Sequence, residues 1–230
     1  MKECIYLLKY YPPRNYFLRI FQFFFWFLSY LFNNDKKQLF KKLSLTISDS
    51  RALMNLFSIL EKLLNIFTQS GFKNNIQKLI YLTYITSFCH ICLHSFCFIM
   101  VLCKFEFNLD FYTKIYNMFY ACTMIINLIR YQIELKDLYD SKKKEFSEEE
   151  KENEKMIKIG IITIAFNLPL ALNGTQLIEK IFGLKLNEGT EGFLGFVASI
   201  MQYYAASFKC LKEIKSNYKD YNNANNKKNL

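Results

Sequence analysis

An all-α integral membrane protein is predicted for this 230-residue chain, and three observations support the prediction. Phe, Tyr and Trp make up 18% of the residues, whereas Gly occurs 7 times and Pro 3 times. Many bulky residues with few chain breakers favour long helices and disfavour a β-sandwich, whose short strands need frequent turns. The third observation is a set of uncharged stretches long enough to span a bilayer. A soluble helical bundle with an aromatic core is the alternative, because mean hydropathy is only +0.03.

Four uncharged stretches predict about four transmembrane or membrane-embedded helices. Residues 79–103 contain 25 consecutive residues without Asp, Glu, Lys or Arg. A helix of that length extends about 37 Å, which exceeds the roughly 30 Å of a bilayer's hydrocarbon core. Similar stretches cover residues 159–178 and 192–208. A shorter one ends at residue 129 and covers residues 111–129 if Lys114 extends its amine to the interface.

The net charge of +10 at pH 7 indicates an anionic partner, either nucleic acid or a lipid surface. If four helices span the membrane, 26 of the 30 basic residues fall on the side that also holds both termini. That asymmetry follows the positive-inside rule. The aromatic residues lie in the uncharged stretches rather than among the basic ones, so nucleic-acid binding is not expected. The charge therefore indicates topology and contact with lipid headgroups.

Residues 1–70 are predicted to form aromatic and amphipathic helices. The apolar stretch 16–32 is interrupted by Arg19 and Gln22, and it is compatible with a span, an interfacial helix or a core helix. Between Gln38 and Thr68, apolar residues recur at helical spacing, which is typical both of a helix lying in a lipid leaflet and of an ordinary bundle helix. Ser48 or Asp49 is expected to cap a helix that begins near Ser50. The expected lipid-contact face consists of Leu39, Leu43, Leu53, Phe57, Leu60, Leu64 and Phe67.

The rest of the chain is predicted to contain two membrane hairpins separated by polar segments. Residues 71–135 form the first hairpin, residues 136–158 a charged linker and residues 159–208 the second hairpin. Within the linker, Ser147 precedes three consecutive glutamates, a pattern typical of a helix N-cap with an acidic first turn. Residues 209–230 form a polar tail, and its Asn-rich run 222–229 is expected to be disordered unless a partner holds it.

Neither a metal site nor an enzyme active site is expected. Cys89, His90, Cys92, His94 and Cys97 lie close together in sequence, but a tetrahedral site needs ligands from a second element, and both histidines of the chain are here. Buried thiols and a polar seam of imidazoles between helices are the expected arrangement. No phosphate-binding glycine loop, nucleophile elbow or H-E-x-x-H motif is present, so no cofactor or catalytic residue is predicted.

The C-terminal third carries a motif that resembles a known family. Residues 167–172 read Asn-Leu-Pro-Leu-Ala-Leu, and a Gly-rich apolar stretch follows. This pattern resembles the C-terminal signature of the peroxin eleven family, the peroxisomal membrane elongation and division proteins. The aromatic segment 16–30 and the Ser-Asp-Ser-Arg run at residues 48–51 are similar to the family's N-terminal half. The motif residues are Asn167, Leu168, Pro169, Gly189, Gly192, Gly195 and Ser199.

The resemblance implies a non-enzymatic protein that promotes peroxisome elongation and division by inserting amphipathic helices and by self-association. Membrane lipids and further copies of the chain are the implied partners, and the peroxisomal membrane is the implied location. The glycines are expected to let another helix approach closely, as small residues do in membranes. Pro169 is expected to kink or break its helix near Asn167.

One departure from the family pattern leaves a second function open. From Arg51 to Thr68 the chain carries two basic residues and one acidic residue, whereas the family is typically more basic there. The alternative is a structural accessory subunit of a large organellar complex, such as a respiratory complex of the mitochondrial inner membrane. A small channel or transporter is a third hypothesis, based only on the polar residues within the apolar stretches.

Overall fold

The computed structural model describes residues 11–68, 74–106, 108–140 and 147–228, and these residues form seven α-helices. The all-α prediction is confirmed for this part of the chain. The helices are α1 (Tyr11–Leu31), α2 (Asn34–Thr68), α3 (Asn75–Leu102), α4 (Leu109–Asp140), α5 (Glu148–Gly174), α6 (Leu177–Phe182) and α7 (Glu188–Lys228).

Six of the helices pack into a closed ring. Around the ring, α1 packs on α2, α2 on α3, α3 on α4, α4 on α5, α5 on α7, and α7 on α1. The short helix α6 packs on α5 outside this circuit. A cavity at the centre is lined by side chains from all six helices of the ring. Residues far apart in sequence therefore face one another across the interior.

Two of the described helices, α3 and α5, are long and apolar enough to cross a membrane. They contain most of the uncharged stretches 79–103 and 159–178. The other two stretches fall within α4 and α7, which do not meet the same criterion among the described residues. Their uncharged stretches are shorter, and each helix continues into charged turns. Of the four predicted membrane helices, two are thus long and apolar enough to cross a membrane.

Helix α1 contains nearly all of the apolar stretch 16–32 and packs as a bundle helix between α2 and α7. Its aromatic rings contact those of α7, with ring centroids 5.8 Å apart for Phe17 and Tyr203 and 5.7 Å apart for Phe24 and Phe196. Arg19 is on the side of α1 that lines the central cavity. The charge that interrupts the apolar stretch therefore faces the protein interior.

The predicted cap at Ser48 or Asp49 is wrong, because α2 runs without interruption from Asn34 to Thr68. Hydroxyl groups inside the helix bond back to carbonyl oxygens four residues earlier. Thr46 Oγ1 donates to Lys42 O at 3.0 Å, and Ser50 Oγ donates to Thr46 O at 2.9 Å. These bonds satisfy the hydroxyl groups locally, so the residues remain in the helix instead of starting a new one.

Helix α7 ends at Lys228, so residues 222–228 are helical where disorder was predicted in the absence of a partner. The helix that carries the packed stretch continues into the polar tail without a Gly or Pro to stop it. Near the start of that extension, Lys212 Nζ lies 3.6 Å from carboxylate oxygens of Glu149 and Glu152 on α5. Residues 229–230 lie outside the described part of the chain.

The predicted N-cap at Ser147 is confirmed. Ser147 Oγ accepts from Glu150 N at 3.2 Å, and Ser147 N donates to Glu150 Oε2 at 2.7 Å, which completes a capping box. Most of the predicted charged linker 136–158 is helical, since α4 extends to Asp140 and α5 begins at Glu148. Residues 141–146 lie outside the described ranges.

Pro169 lies inside α5, and the helix continues past it to Gly174. The predicted break near Asn167 is therefore not found. Asn167 Nδ2 donates to Thr163 O at 3.1 Å, so the amide satisfies a backbone carbonyl one turn before Asn167. Thr163 O is not the carbonyl that Pro169 leaves without a backbone donor, which is that of Ala165 four residues before it, so this bond does not compensate for the proline.

Candidate functional site

The exposed apolar residues of α2 are the first candidate surface. The side chains of Leu39 and Leu43, one turn apart, are 55% and 37% exposed, and Phe67 at the end of the helix is 80% exposed. The side chains of Leu53, Phe57, Leu60 and Leu64 lie outside the described part of the structure. The opposite side of α2 is held to the bundle, because Ser44 is buried and its Oγ donates to Gln22 O at 2.8 Å.

The glycines of the C-terminal motif lie against α1. A Cβ atom built on Gly192 would lie 2.7 Å from both the N and Cα atoms of Phe27, a separation that Cβ atoms essentially never show. Gly189 and Gly195 face the rings of Tyr30 and Phe23. The helix that approaches this face is therefore α1 of the same chain. Sequence reasoning identified the small residues but not which helix they accommodate.

The remaining motif residues lie at the same junction or next to it. Ser199 is buried on α7, and its Oγ donates to Gly195 O. Leu168 and Pro169 are half-buried on α5, beside the fully buried Asn167. The two halves of the C-terminal motif thus contribute to neighbouring helices of the ring.

Arg19 connects four helices through hydrogen bonds. Its Nη2 donates to Asn167 Oδ1 on α5 at 2.8 Å and to Tyr120 Oη on α4 at 3.3 Å. Its Nη1 donates to Gln202 Oε1 on α7 at 2.6 Å. Its guanidinium carbon also lies 5.3 Å from the centre of the Phe23 ring. These partners are neutral, and no carboxylate of the described residues lies within 4.0 Å of Arg19.

A second arginine joins α2 to α1 within one turn of Arg19. Arg51 Nε donates to Asn15 Oδ1 at 3.1 Å, and Arg51 Nη1 donates to Gln22 Oε1. Gln22 follows Arg19 by three residues, so the two side chains share a face of α1. Both arginines line the central cavity. The last residue of the Ser-Asp-Ser-Arg run, which resembles part of the family pattern, is Arg51, so this run contributes a side chain to the cavity.

The two histidines form the polar seam that was expected between helices. His90 Nδ1 donates to Tyr116 O at 2.9 Å, and its ring stacks on Tyr120 at a centroid distance of 4.8 Å. The His94 ring contacts Tyr116 edge-on at 5.2 Å. Among the described residues, no three His, Cys, Asp or Glu side chains converge to hold a metal ion.

The central cavity has a volume of about 400 Å³ and a mixed polar and apolar lining. Its ionisable lining residues are Arg19, Arg51, His90, His94, Tyr116, Tyr120 and Glu191. Sequence reasoning did not assign a role to Arg19, Gln22 or Arg51 here. The available signal was Arg19 itself, because a charge within an apolar helix is costly unless the fold gives it polar partners.

The chain matches the protein family described as Peroxisomal biogenesis factor 11 (PEX11) over residues 1–207. This match covers most of the chain and includes α1 and α2 as well as the C-terminal motif. No curated protein and no solved structure matches the chain.

Proposed function

Because the chain belongs to the PEX11 family of peroxisomal biogenesis factors, we propose that it elongates the peroxisomal membrane by inserting the apolar face of α2 into one leaflet and by associating with further copies. The family is non-enzymatic and belongs to the peroxisomal membrane. Family membership therefore favours the peroxisomal membrane over the mitochondrial inner membrane.

The observation that carries the mechanism is the exposure of Leu39 and Leu43 on a helix that is anchored from its other side. An exposed apolar strip on an amphipathic helix binds at the boundary between headgroups and acyl chains. Lys36 and Lys37 precede this strip, and each lysine near an anionic surface adds about 1 kcal/mol of attraction. Insertion into one leaflet widens that leaflet and favours curvature.

The proposed topology has four membrane helices, α3, α4, α5 and α7, with both termini on the cytosolic side and with α1, which packs along residues 192–203 of α7, embedded beside them. The length and apolar character of α3 and α5 support two of these spans. Exposed apolar side chains on α4 and α7 support the other two, since they would otherwise face water. They are Met118, Ile125 and Ile129 on α4, and Phe193, Ile200 and Tyr204 on α7.

The proposed self-association uses a surface other than the glycine face. Small residues promote helix association in membranes, where lipid provides no hydrophobic drive. The Gly192 face is already covered by α1 in each chain. Copies of the chain therefore meet through the exposed outer faces of the ring.

Vesicle remodelling tests the role of α2. The full chain is reconstituted into anionic vesicles, and elongation is scored by electron microscopy for wild type and for the double variant Leu39→Ser, Leu43→Ser. The variant should elongate vesicles several-fold less while keeping the wild-type melting temperature, because both side chains are exposed. The matched control replaces Ile181 and Leu184, two other exposed apolar residues, by Ser. Equal elongation by wild type and the α2 variant would contradict the proposed insertion of α2 into the membrane.

A further inference from the structure

The central cavity has the size of a small-ligand site. Its volume of about 400 Å³ lies within the range of roughly 300–1,000 Å³ that such sites occupy. Its lining residues come from all six helices of the ring. This cavity is separate from the exposed face of α2 on which the membrane-curving mechanism depends.

The charge in the cavity is predominantly positive. Arg19 and Arg51 bring two permanent positive charges. Among the described lining residues, Glu191 is the one carboxylate, and Asn173 Nδ2 donates to it from α5. The remaining titratable groups that face the cavity are His90, His94, Tyr116 and Tyr120, none of which is negative at neutral pH unless strongly perturbed.

The partners of Arg19 accept hydrogen bonds from its guanidinium, but they are neutral and do not balance its positive charge. A guanidinium has five N–H donors, and the bonds to Asn167, Tyr120 and Gln202 use three of them. Arginines inside a membrane protein normally pair with an opposite charge or mark a functional site. An anion in the cavity would supply that charge.

We propose that the cavity binds a phosphate monoester, with its phosphate held between Arg19 and Arg51. The planar forks of two arginines from different helices suit a phosphate, which offers three terminal oxygens, better than a carboxylate, which offers two. Gln22 bonds to Arg51 and shares a face of α1 with Arg19, so it sets the relative position of the two guanidiniums. The phosphate belongs either to a lipid headgroup or to a small soluble compound.

The test uses the purified full chain in phosphate-free buffer and two probes. Inorganic phosphate is titrated into detergent-solubilised protein by calorimetry. Phosphatidic acid is offered in phosphatidylcholine nanodiscs, and retained lipid is counted by native mass spectrometry. Binding of inorganic phosphate without retention of phosphatidic acid identifies a small soluble phosphate, whereas retention of phosphatidic acid identifies the lipid headgroup.

Charge variants then locate the site. Arg19→Gln and Arg51→Gln should each weaken binding by about tenfold or more, the change expected for one charge-assisted contact. Arg14→Gln is the matched control, because Arg14 is exposed on the same helix and does not line the cavity. Glu191→Gln should tighten binding several-fold, since it removes the negative charge that opposes the ligand.

Arg19→Gln also removes bonds that join helices, so its elution in gel filtration is compared with wild type. If it fails to fold, Arg51→Gln and Glu191→Gln decide the question. The proposal is overturned if wild type binds neither probe, or if Arg14→Gln weakens binding as much as the cavity variants do. Vesicle elongation by the same preparations is scored independently, so failure of this site and failure of the α2 mechanism are distinguishable.

Discussion

Arg19 Nη2 on α1 donates a hydrogen bond of 2.8 Å to Asn167 Oδ1 on α5, which joins residues 148 positions apart in the chain. Arg19 belongs to the aromatic N-terminal segment, and Asn167 opens the Asn-Leu-Pro motif of the C-terminal third. The same α1 helix packs on the glycines of α7. The separate motifs of this chain therefore form one structural unit centred on α1.

Replacing Asn167 by Ala is expected to destabilise the fold strongly. The change removes a hydrogen bond to a charged group, worth about 1.5–3 kcal/mol, and leaves a space at a position that is 0% exposed. The melting temperature in detergent should fall by about 4–10 °C. Asn153→Ala, at an exposed position on the same helix, is the control and should change little. A similar melting temperature for the two variants would contradict the proposed importance of the Arg19–Asn167 bond.

Replacing Gly192 by Leu is expected to separate α1 from α7. The first atom of the new side chain would collide with the backbone of Phe27, and overpacking of this kind costs about 1–3 kcal/mol. Thermal unfolding measures the loss, and protease cleavage within α1 reports whether that helix detaches. The control Ile200→Leu, at an exposed position on the same helix, should retain wild-type protection. Normal protection in Gly192→Leu would show that α1 does not need the close approach.

Glu191 and Glu188, one turn apart at the start of α7, are expected to make stability depend on pH with opposite signs. Burial raises the pKa of Glu191 above its ordinary 4.5. The hydrogen bond from Lys41 lowers the pKa of Glu188 below the same value. A carboxyl with a raised pKa weakens the fold as pH rises from 4.5 through the folded-state pKa. A carboxyl with a lowered pKa contributes stability above 4.5, which is lost as pH falls through the folded-state pKa.

Glutamine variants of these two residues measure the effect. Relative to wild type, Glu191→Gln should melt at a higher temperature at pH 7, and the difference should shrink towards pH 4. Glu188→Gln should melt at a lower temperature at pH 7 and converge with wild type below pH 4. The Glu188 effect should be at most about 1 kcal/mol, because the Lys41–Glu188 pair is partly exposed to solvent. Shifts of the same sign for both variants would refute the assignment.

Cysteine labelling tests the four-span topology. Cys103 is exposed at the end of α3, on the side opposite the termini in that topology. In a single-cysteine variant, it should react with an impermeant maleimide only after the peroxisomes are permeabilised. Cysteine placed at exposed Asn153 should react in intact organelles. Labelling of Cys103 without permeabilisation would exclude this arrangement of α3 and α4.

Much of the fold was predictable from local features of the sequence. The scarcity of Gly and Pro indicated long helices, and Ser147 with its acidic run indicated where α5 begins. These predictions succeeded because helix formation and capping depend on residues within one or two turns. The predicted cap within α2 was wrong because hydroxyl groups there bond to carbonyl oxygens of the preceding turn, so the helix continues. The tail is helical up to Lys228 because no Gly or Pro stops α7 beyond the part that packs in the bundle.

The sequence by itself determined the helical class, the two apolar candidate spans and the family motifs. Only the tertiary structure decided that Gly192 accommodates α1 of the same chain, and that Arg19, Arg51 and the histidines face one cavity. The reason is physical. Periodicity places a residue on a face of its own helix, but the partner of that face depends on how six helices close into a ring, a relation between residues far apart in the chain.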